Sequence, residues 1–267
     1  MTYPIYQVDA FTDRVFGGNP AAVMPLEQWL PDETLLALAG ENNLSETAFF
    51  LRLPENEEAD FHIRWFTPGF EVPLCGHATL ASAWVLFNKL GWAKDSIRFQ
   101  SKSGPLGVKQ TDDGWLVLDF PNLSFEQRET PPLIREALPG FSETAYFVPN
   151  DTNYMLVLDN ETAVRGAQPD LGKLRELGNQ GLIVTARGDE SDFVSRYFAP
   201  GAGIDEDPVT GSIHSVLVPY WAEVLGKTSL DARQVSKRGG VLRCELNGER
   251  VSIAGQAAFF MEGFIQL

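Results

Sequence analysis

Three short stretches of this 267-residue chain hold the side chains that could do chemistry. The strand-like run Leu44-Ser45-Glu46-Thr47-Ala48-Phe49-Phe50-Leu51 carries one carboxylate among apolar neighbours. Cys75-Gly76-His77-Ala78-Thr79 leads into LASAWVLFNKL, and Asp207-Pro208-Val209-Thr210-Gly211-Ser212 leads into IHSVLVPYWAEVLG. A carboxylate desolvated at the rim of a cleft binds its proton more tightly and can serve as general base and then as acid. A loop entering a helix presents unpaired N–H groups and a partial positive charge, which suits an anionic ligand. Gly76 and Gly211 let the main chain come close to such a ligand. The chemistry these residue types point to is proton transfer on a small anionic metabolite.

Each residue also has a plainer use. Glu46 could face solvent from an alternating strand, and Thr79 or Ser212 could simply cap a helix. His77 could be a satisfied structural imidazole or an active one. Asp207 could form the turn before Pro208. Cys75 could be a small buried apolar group or a nucleophile. His62, His214 and Cys244 read as structural.

The elements that must position these residues repeat. Arg64-Trp65-Phe66-Thr67-Pro68-Gly69 returns as Arg196-Tyr197-Phe198-Ala199-Pro200-Gly201, identical at four of six positions with an offset of 132. Residues 39–48, AGENNLSETA, match residues 177–186, LGNQGLIVTA, at four of ten with an offset of 138. Both members of the second pair read as helix, glycine stop, turn and strand. That alignment sets Ser45 and Glu46 opposite Ile183 and Val184. For the loops, superposing Gly76 on Gly211 sets Cys75 on Thr210 and His77 on Ser212. The apolar stretches after both loops lack a polar face and belong inside. An internal duplication accounts for all of this: an α+β chain of two pseudo-symmetric halves, each a curved sheet or barrel around a central helix, sharing one cleft. The halves divide near Pro121-Asn122 or in Thr130-Pro131-Pro132, giving residues 1–120 and 121–257.

Composition excludes several classes of function. With 21 Lys+Arg against 36 Asp+Glu the net charge is −15, a poor match for nucleic acid or an anionic membrane. Two cysteines make neither a disulfide framework nor a zinc site, and three histidines lack the close helical pairing of metal ligands, so no metal is expected. The opening MTYPIYQVDAFT has no basic stretch followed by an apolar run, and the expectation is a cytoplasmic protein.

Phe16-Gly17-Gly18-Asn19-Pro20, Asn43-Leu44-Ser45-Glu46-Thr47, Cys75-Gly76-His77-Ala78-Thr79 and Glu206-Asp207-Pro208-Val209-Thr210-Gly211-Ser212 together resemble the phenazine-biosynthesis PhzF family of isomerases. The resemblance implies a diaminopimelate-epimerase-like fold, with a last strand around residues 258–267 returning to the first half. It implies a cofactor-independent, homodimeric isomerase whose acid–base group is Glu46. Its active-site partners map onto Ser45, His77, Asp207 and Ser212, and its substrate-binding glycines onto Gly76 and Gly211. Epimerases of the related fold use two thiols, one per half. Here Cys75 has no cysteine opposite it, which favours a single shuttling carboxylate over a two-thiol reaction. A one-base epimerase or racemase, and a non-catalytic small-molecule-binding protein, are the other readings.

Overall fold

The computed structural model describes residues 1–55, 57–141 and 144–267. These form two units, Met1–Phe120 with Ile253–Leu267, and Pro121–Ser252.

In the first unit, β1 (Thr2–Ala10) pairs antiparallel with β2 (Asn19–Leu26). Helix α1 (Asp32–Asn42) then carries the chain over to β3 (Glu46–Arg52), which lies parallel to β2. Next come β4 (Phe61–Phe66), antiparallel to β3, and the two-residue β5 (Glu71–Val72), antiparallel to β4. After helix α2 (Gly76–Asn88), β6 (Ser96–Ser101) returns parallel to β4. β7 (Gly104–Gln110) and β8 (Leu116–Pro121) follow as antiparallel neighbours.

The second unit repeats that order of pairings. β9 (Glu126–Glu129) and α3 (Pro132–Ala137) precede β10 (Thr144–Val148), which pairs antiparallel with β11 (Asn153–Val157). Two short helices, α4 (Glu161–Gly166) and α5 (Leu171–Arg175), lead to β12 (Leu182–Arg187), parallel to β11. β13 (Phe193–Ala199) is antiparallel to β12 and carries the short β14 (Ile204–Asp207). After α6 (His214–Leu225), β15 (Ser229–Gln234) lies parallel to β13, with β16 (Gly240–Asn247) antiparallel to it. β17 (Arg250–Gly255) leads back to the first unit, where β18 (Ala257–Gln266) runs antiparallel to β1. The duplication is therefore a duplication of topology: antiparallel, parallel, antiparallel, long helix, parallel.

Both long helices are mostly buried, as their largely apolar composition requires. In α2 every residue from Gly76 to Ala83 is buried, and the helix packs on β1, β2, β3 and β18. Its polar side chains turn back on its own backbone, Thr79 Oγ1 donating to Cys75 O at 2.6 Å and Ser82 Oγ to Ala78 O at 2.7 Å. In α6, Pro219 has no N–H for the carbonyl of Ser215, and Leu123 N donates to that carbonyl instead, at 3.0 Å. Among the described residues no helix is long and apolar enough to cross a membrane.

Strand register corrects one alignment. Trp65 faces Ala48 on β3 and Val72 on β5, while its repeat partner Tyr197 faces Ile183 on β12 and Asp207 on β14. Both sets give an offset of 135, from 48 to 183 and from 72 to 207. The loop alignment with Gly76 on Gly211 agrees with that register. The alignment of Glu46 with Val184 does not, since 46 plus 135 is Gly181. Gly40 is the cause. It lies inside α1, which ends three residues later at Asn43, left-handed with φ 48°. In the second unit the left-handed residue is Gly178, φ 67°, again 135 away. The left-handed turn is what repeats, and asparagine tolerates it well enough to replace glycine.

Candidate active site

Glu46 opens β3 and is 7% exposed. The first five residues of β3 are all buried, so neither face of the strand offers the carboxylate to bulk water. Its position in the second unit is Gly181, where an added Cβ would meet the Tyr197 hydroxyl at 2.3 Å. There the Gly181 N–H and the Tyr197 hydroxyl both donate to Asn153 Oδ1, at 2.9 and 3.1 Å. A carboxylate in one half is thus replaced by a filled, hydrogen-bonded backbone site in the other.

Cys75 and His77 reach Glu46 from the start of α2. Cys75 is the residue before the helix, with extended backbone (φ −148°, ψ 110°), and makes no side-chain cap. His77 sits in the first turn, 4% exposed. Asn19 Nδ2 donates to His77 Nδ1 at 3.2 Å, which leaves the imidazole proton on Nε2. That nitrogen lies 3.3 Å from Glu46 Oε2, close but without the alignment of a hydrogen bond. Burial pushes His77 down to about 3, so the contact is a neutral imidazole beside a carboxyl group rather than an ion pair. Cys75 Sγ is 3.5 Å from His77 Nδ1.

The turn before β2 places Asn19. Phe16 N donates to Asp9 Oδ2 at 2.9 Å, and Gly18 turns with φ +57°. A Cβ at Gly18 would stand 2.0 Å from Ala10 O, so only glycine fits there.

Asp207, Thr210, Gly211 and Ser212 lie in the second unit. Asp207 ends β14 and accepts a short hydrogen bond from Thr210 Oγ1. Gln234, completely buried at the end of β15, holds the loop: its Oε1 accepts from Thr210 N at 2.8 Å, and its Nε2 donates to Asp207 O at 2.8 Å and to Thr210 Oγ1 at 3.2 Å. Gly211 is buried and Ser212 half-buried in the turn that enters α6. Neither Thr79 nor Ser212 is an N-cap; Cys75 and Ile213 hold those positions.

The structure thus gathers Glu46, Cys75 and His77 in one unit, with half-buried Ser45 just before Glu46 and Gly76 opening the helix. Asp207, Gly211 and Ser212 belong to the other. Three histidine and cysteine readings are plainly structural. His62 packs edge-on against Trp29, with ring centres 4.9 Å apart. His214 Nδ1 donates to Thr210 O at 2.9 Å, and burial pushes the ring down to about 4. Cys244 is buried and its thiol is pushed up. Sequence reasoning missed Asn19 and Gln234 as positioning residues. Asn19 was visible in the Gly-Gly-Asn-Pro motif; Gln234 ends an ordinary strand and carried no signal.

Comparison with known proteins agrees with the fold. The family model described as phenazine biosynthesis-like protein, PhzC-PhzF, matches residues 8–263. A Pseudomonas aeruginosa protein named an uncharacterized isomerase is 49% identical over 267 residues, covering 100% of both chains. The crystal structure of a PhzF-family protein from Enterococcus faecalis superposes with a TM-score of 0.92 at 46% identity, over 100% of both chains. A hydroxyproline epimerase from Agrobacterium vitis shares the fold at TM-score 0.62 and 10% identity, over 99% of this chain and 92% of that one. With its two topologically repeated halves and its family motifs in order along the whole length, the chain belongs to the PhzC-PhzF family of phenazine biosynthesis-like proteins, a family whose curated relatives include isomerases.

Proposed function

We propose that this isomerase-family protein moves a proton within a small carboxylate-bearing metabolite, with Glu46 as the single acid–base group and no cofactor. One observation carries the reading: a buried carboxylate at the head of β3, beside a neutral imidazole, at a position where the repeated half has glycine. Glu46 takes a proton from a substrate carbon, the electron pair delocalises into the adjoining unsaturated or carbonyl group, and the same carboxyl returns the proton at another carbon. Atoms and charge balance without a second base. Burial suits this role because a proton held away from water is not exchanged before its return. Neutral His77, with its proton on Nε2 3.3 Å from the carboxyl, can donate to charge developing near it. The first turn of α2 contains no acidic residue, so its free N–H groups at Gly76 and His77 suit the substrate carboxylate. In this reading Asp207 completes the catalytic set, and Ser45, Gly211 and Ser212 bind substrate.

A one-base epimerisation is the second reading, and Cys75, 3.5 Å from His77, favours it by placing a thiol beside the same imidazole. Both are tested by incubating the enzyme with carboxylate-bearing metabolites in D2O and following products by NMR and chiral chromatography. The shuttle predicts a positional isomer with little solvent deuterium at the new C–H. Inversion at one carbon supports epimerisation and overturns the shuttle, the inverted carbon keeping most of its own hydrogen if one base both takes and returns the proton. Tight binding without turnover of any bound compound would overturn both.

A further inference from the structure

Glu46, Cys75 and His77 have a second chemical capacity. One donor atom from each, a carboxylate oxygen, a thiol sulfur and an imidazole nitrogen, lies within 4.8 Å of the other two, and all three residues are buried. We propose that this triad is a binding site for a thiophilic divalent cation, Zn2+ or Cd2+, and that the ion inhibits the protein by occupying its acid–base carboxylate. The binding stands on geometry alone; the inhibition rests on the role proposed for Glu46.

Several features fit such an ion. Tetrahedral zinc, with bonds of about 2.0–2.3 Å, spaces its nitrogen, oxygen and sulfur ligands roughly 3.3–3.6 Å apart. Glu46 Oε2 and His77 Nε2 are already 3.3 Å apart. Cys75 Sγ now stands 3.5 Å from the other ring nitrogen, Nδ1, so the thiol must swing toward Nε2 to complete the set. His77 Nε2 makes no hydrogen bond among the described residues, so ligation there costs none. On binding, the Cys75 thiol releases its proton to solvent and the sulfur–metal bond forms. Thiolate and carboxylate then cancel the two charges of the cation, so the buried complex is neutral and no net charge is desolvated. Three protein ligands leave a fourth position for one water molecule. Once Nε2 is metal-bound, the ring proton moves to Nδ1, which faces the Asn19 side chain at 3.2 Å. Rotation of that amide presents its oxygen as acceptor, the outer contact a metal-bound histidine ordinarily makes.

The test is titration of the full-length, reduced, metal-free protein with Co2+ alone, read by absorption. One Co2+ per chain is expected, with a thiolate-to-cobalt charge-transfer band and the strong visible absorption of a four-coordinate ion, both displaced by Zn2+. The charge-transfer band should vanish in Cys75→Ser and persist in Cys244→Ser. Asn19→Ala should weaken binding about 10- to 100-fold. Absence of the band in the wild-type protein, or its survival in Cys75→Ser, overturns the proposal, and the wild-type result decides even if a variant misfolds. Because the readout needs no substrate, a negative result here leaves the acid–base role of Glu46 to its own test. Loss of that role would equally leave the metal site standing.

Discussion

Gln234→Leu removes a side chain that makes three hydrogen bonds to the loop carrying Asp207 and Thr210, while keeping much of its apolar volume. Gln234 is 0% exposed, so water cannot take over those contacts in the intact fold. The buried Thr210 N–H loses its acceptor, and the carbonyl of Asp207 loses a donor. A buried group stripped of its partner costs about 1–3 kcal/mol, and two such losses give roughly 2–4 kcal/mol after partial relaxation. Against a typical domain stability of about 5–15 kcal/mol this is a large fraction. At about 2–4 °C per kcal/mol for a chain of this size, Tm should fall by roughly 5–15 °C, measured by calorimetry or circular dichroism. Gln234→Glu is a useful companion: it sets a buried carboxylate oxygen against the carbonyl of Asp207, and at neutral pH it should destabilise at least as much as Gln234→Leu. A Gln234→Leu protein melting within about 1 °C of wild type would refute the claim that this side chain holds the loop.

Other perturbations have equally definite outcomes. Gly18→Ala forces a Cβ to 2.0 Å from Ala10 O at φ +57° and should destabilise by more than about 1 kcal/mol, seen as a lower urea midpoint. Stability should also fall on acidification from pH 7 to 5. Folded His77 and His214 are neutral, with pKa about 3 and 4 against 6.5 for a free imidazole, so below pH 6.5 the unfolded chain binds the extra protons. Asp151, pushed up to about 6 by burial, binds its proton in the folded state and opposes this over the window from pH 6 to 3.8. Two histidines against one carboxyl leave a net loss of roughly 3 kcal/mol by pH 5, and a Tm that is flat or rises across that range would contradict the assignment.

The topology was legible because the chain repeats itself. Two short matches and two largely apolar helices were enough to read two halves of one pattern, since buried helices tolerate little polarity and strand–Pro-Gly junctions leave a signature. Register was less legible. The eye pairs Gly40 with Gly178 because glycine usually marks a helix end, yet in the first half Asn43 takes the left-handed position and Gly40 stays helical. The connection between β3 and β4, residues 53–60, is three residues longer than its counterpart, 188–192, and the turn after β13 is three residues longer than the one after β4, so the strand match at an offset of 132 sits between segments related by 135. The motifs exposed Glu46, Cys75, His77 and Asp207 because charged and nucleophilic residues stand out in apolar runs. Gln234 did not stand out. Its role comes from a backbone 24 residues away in sequence, and no local pattern records such a contact.

The measurement that bears most directly on the account is the turnover of Glu46→Gln on the first metabolite the wild-type protein isomerises, with folding checked by melting. Glutamine keeps the shape and cannot carry the proton. General acid–base catalysis contributes about 100- to 10,000-fold, so kcat should fall by that factor while KM changes little. A Glu46→Gln protein that turns the compound over at the wild-type rate would contradict the central claim.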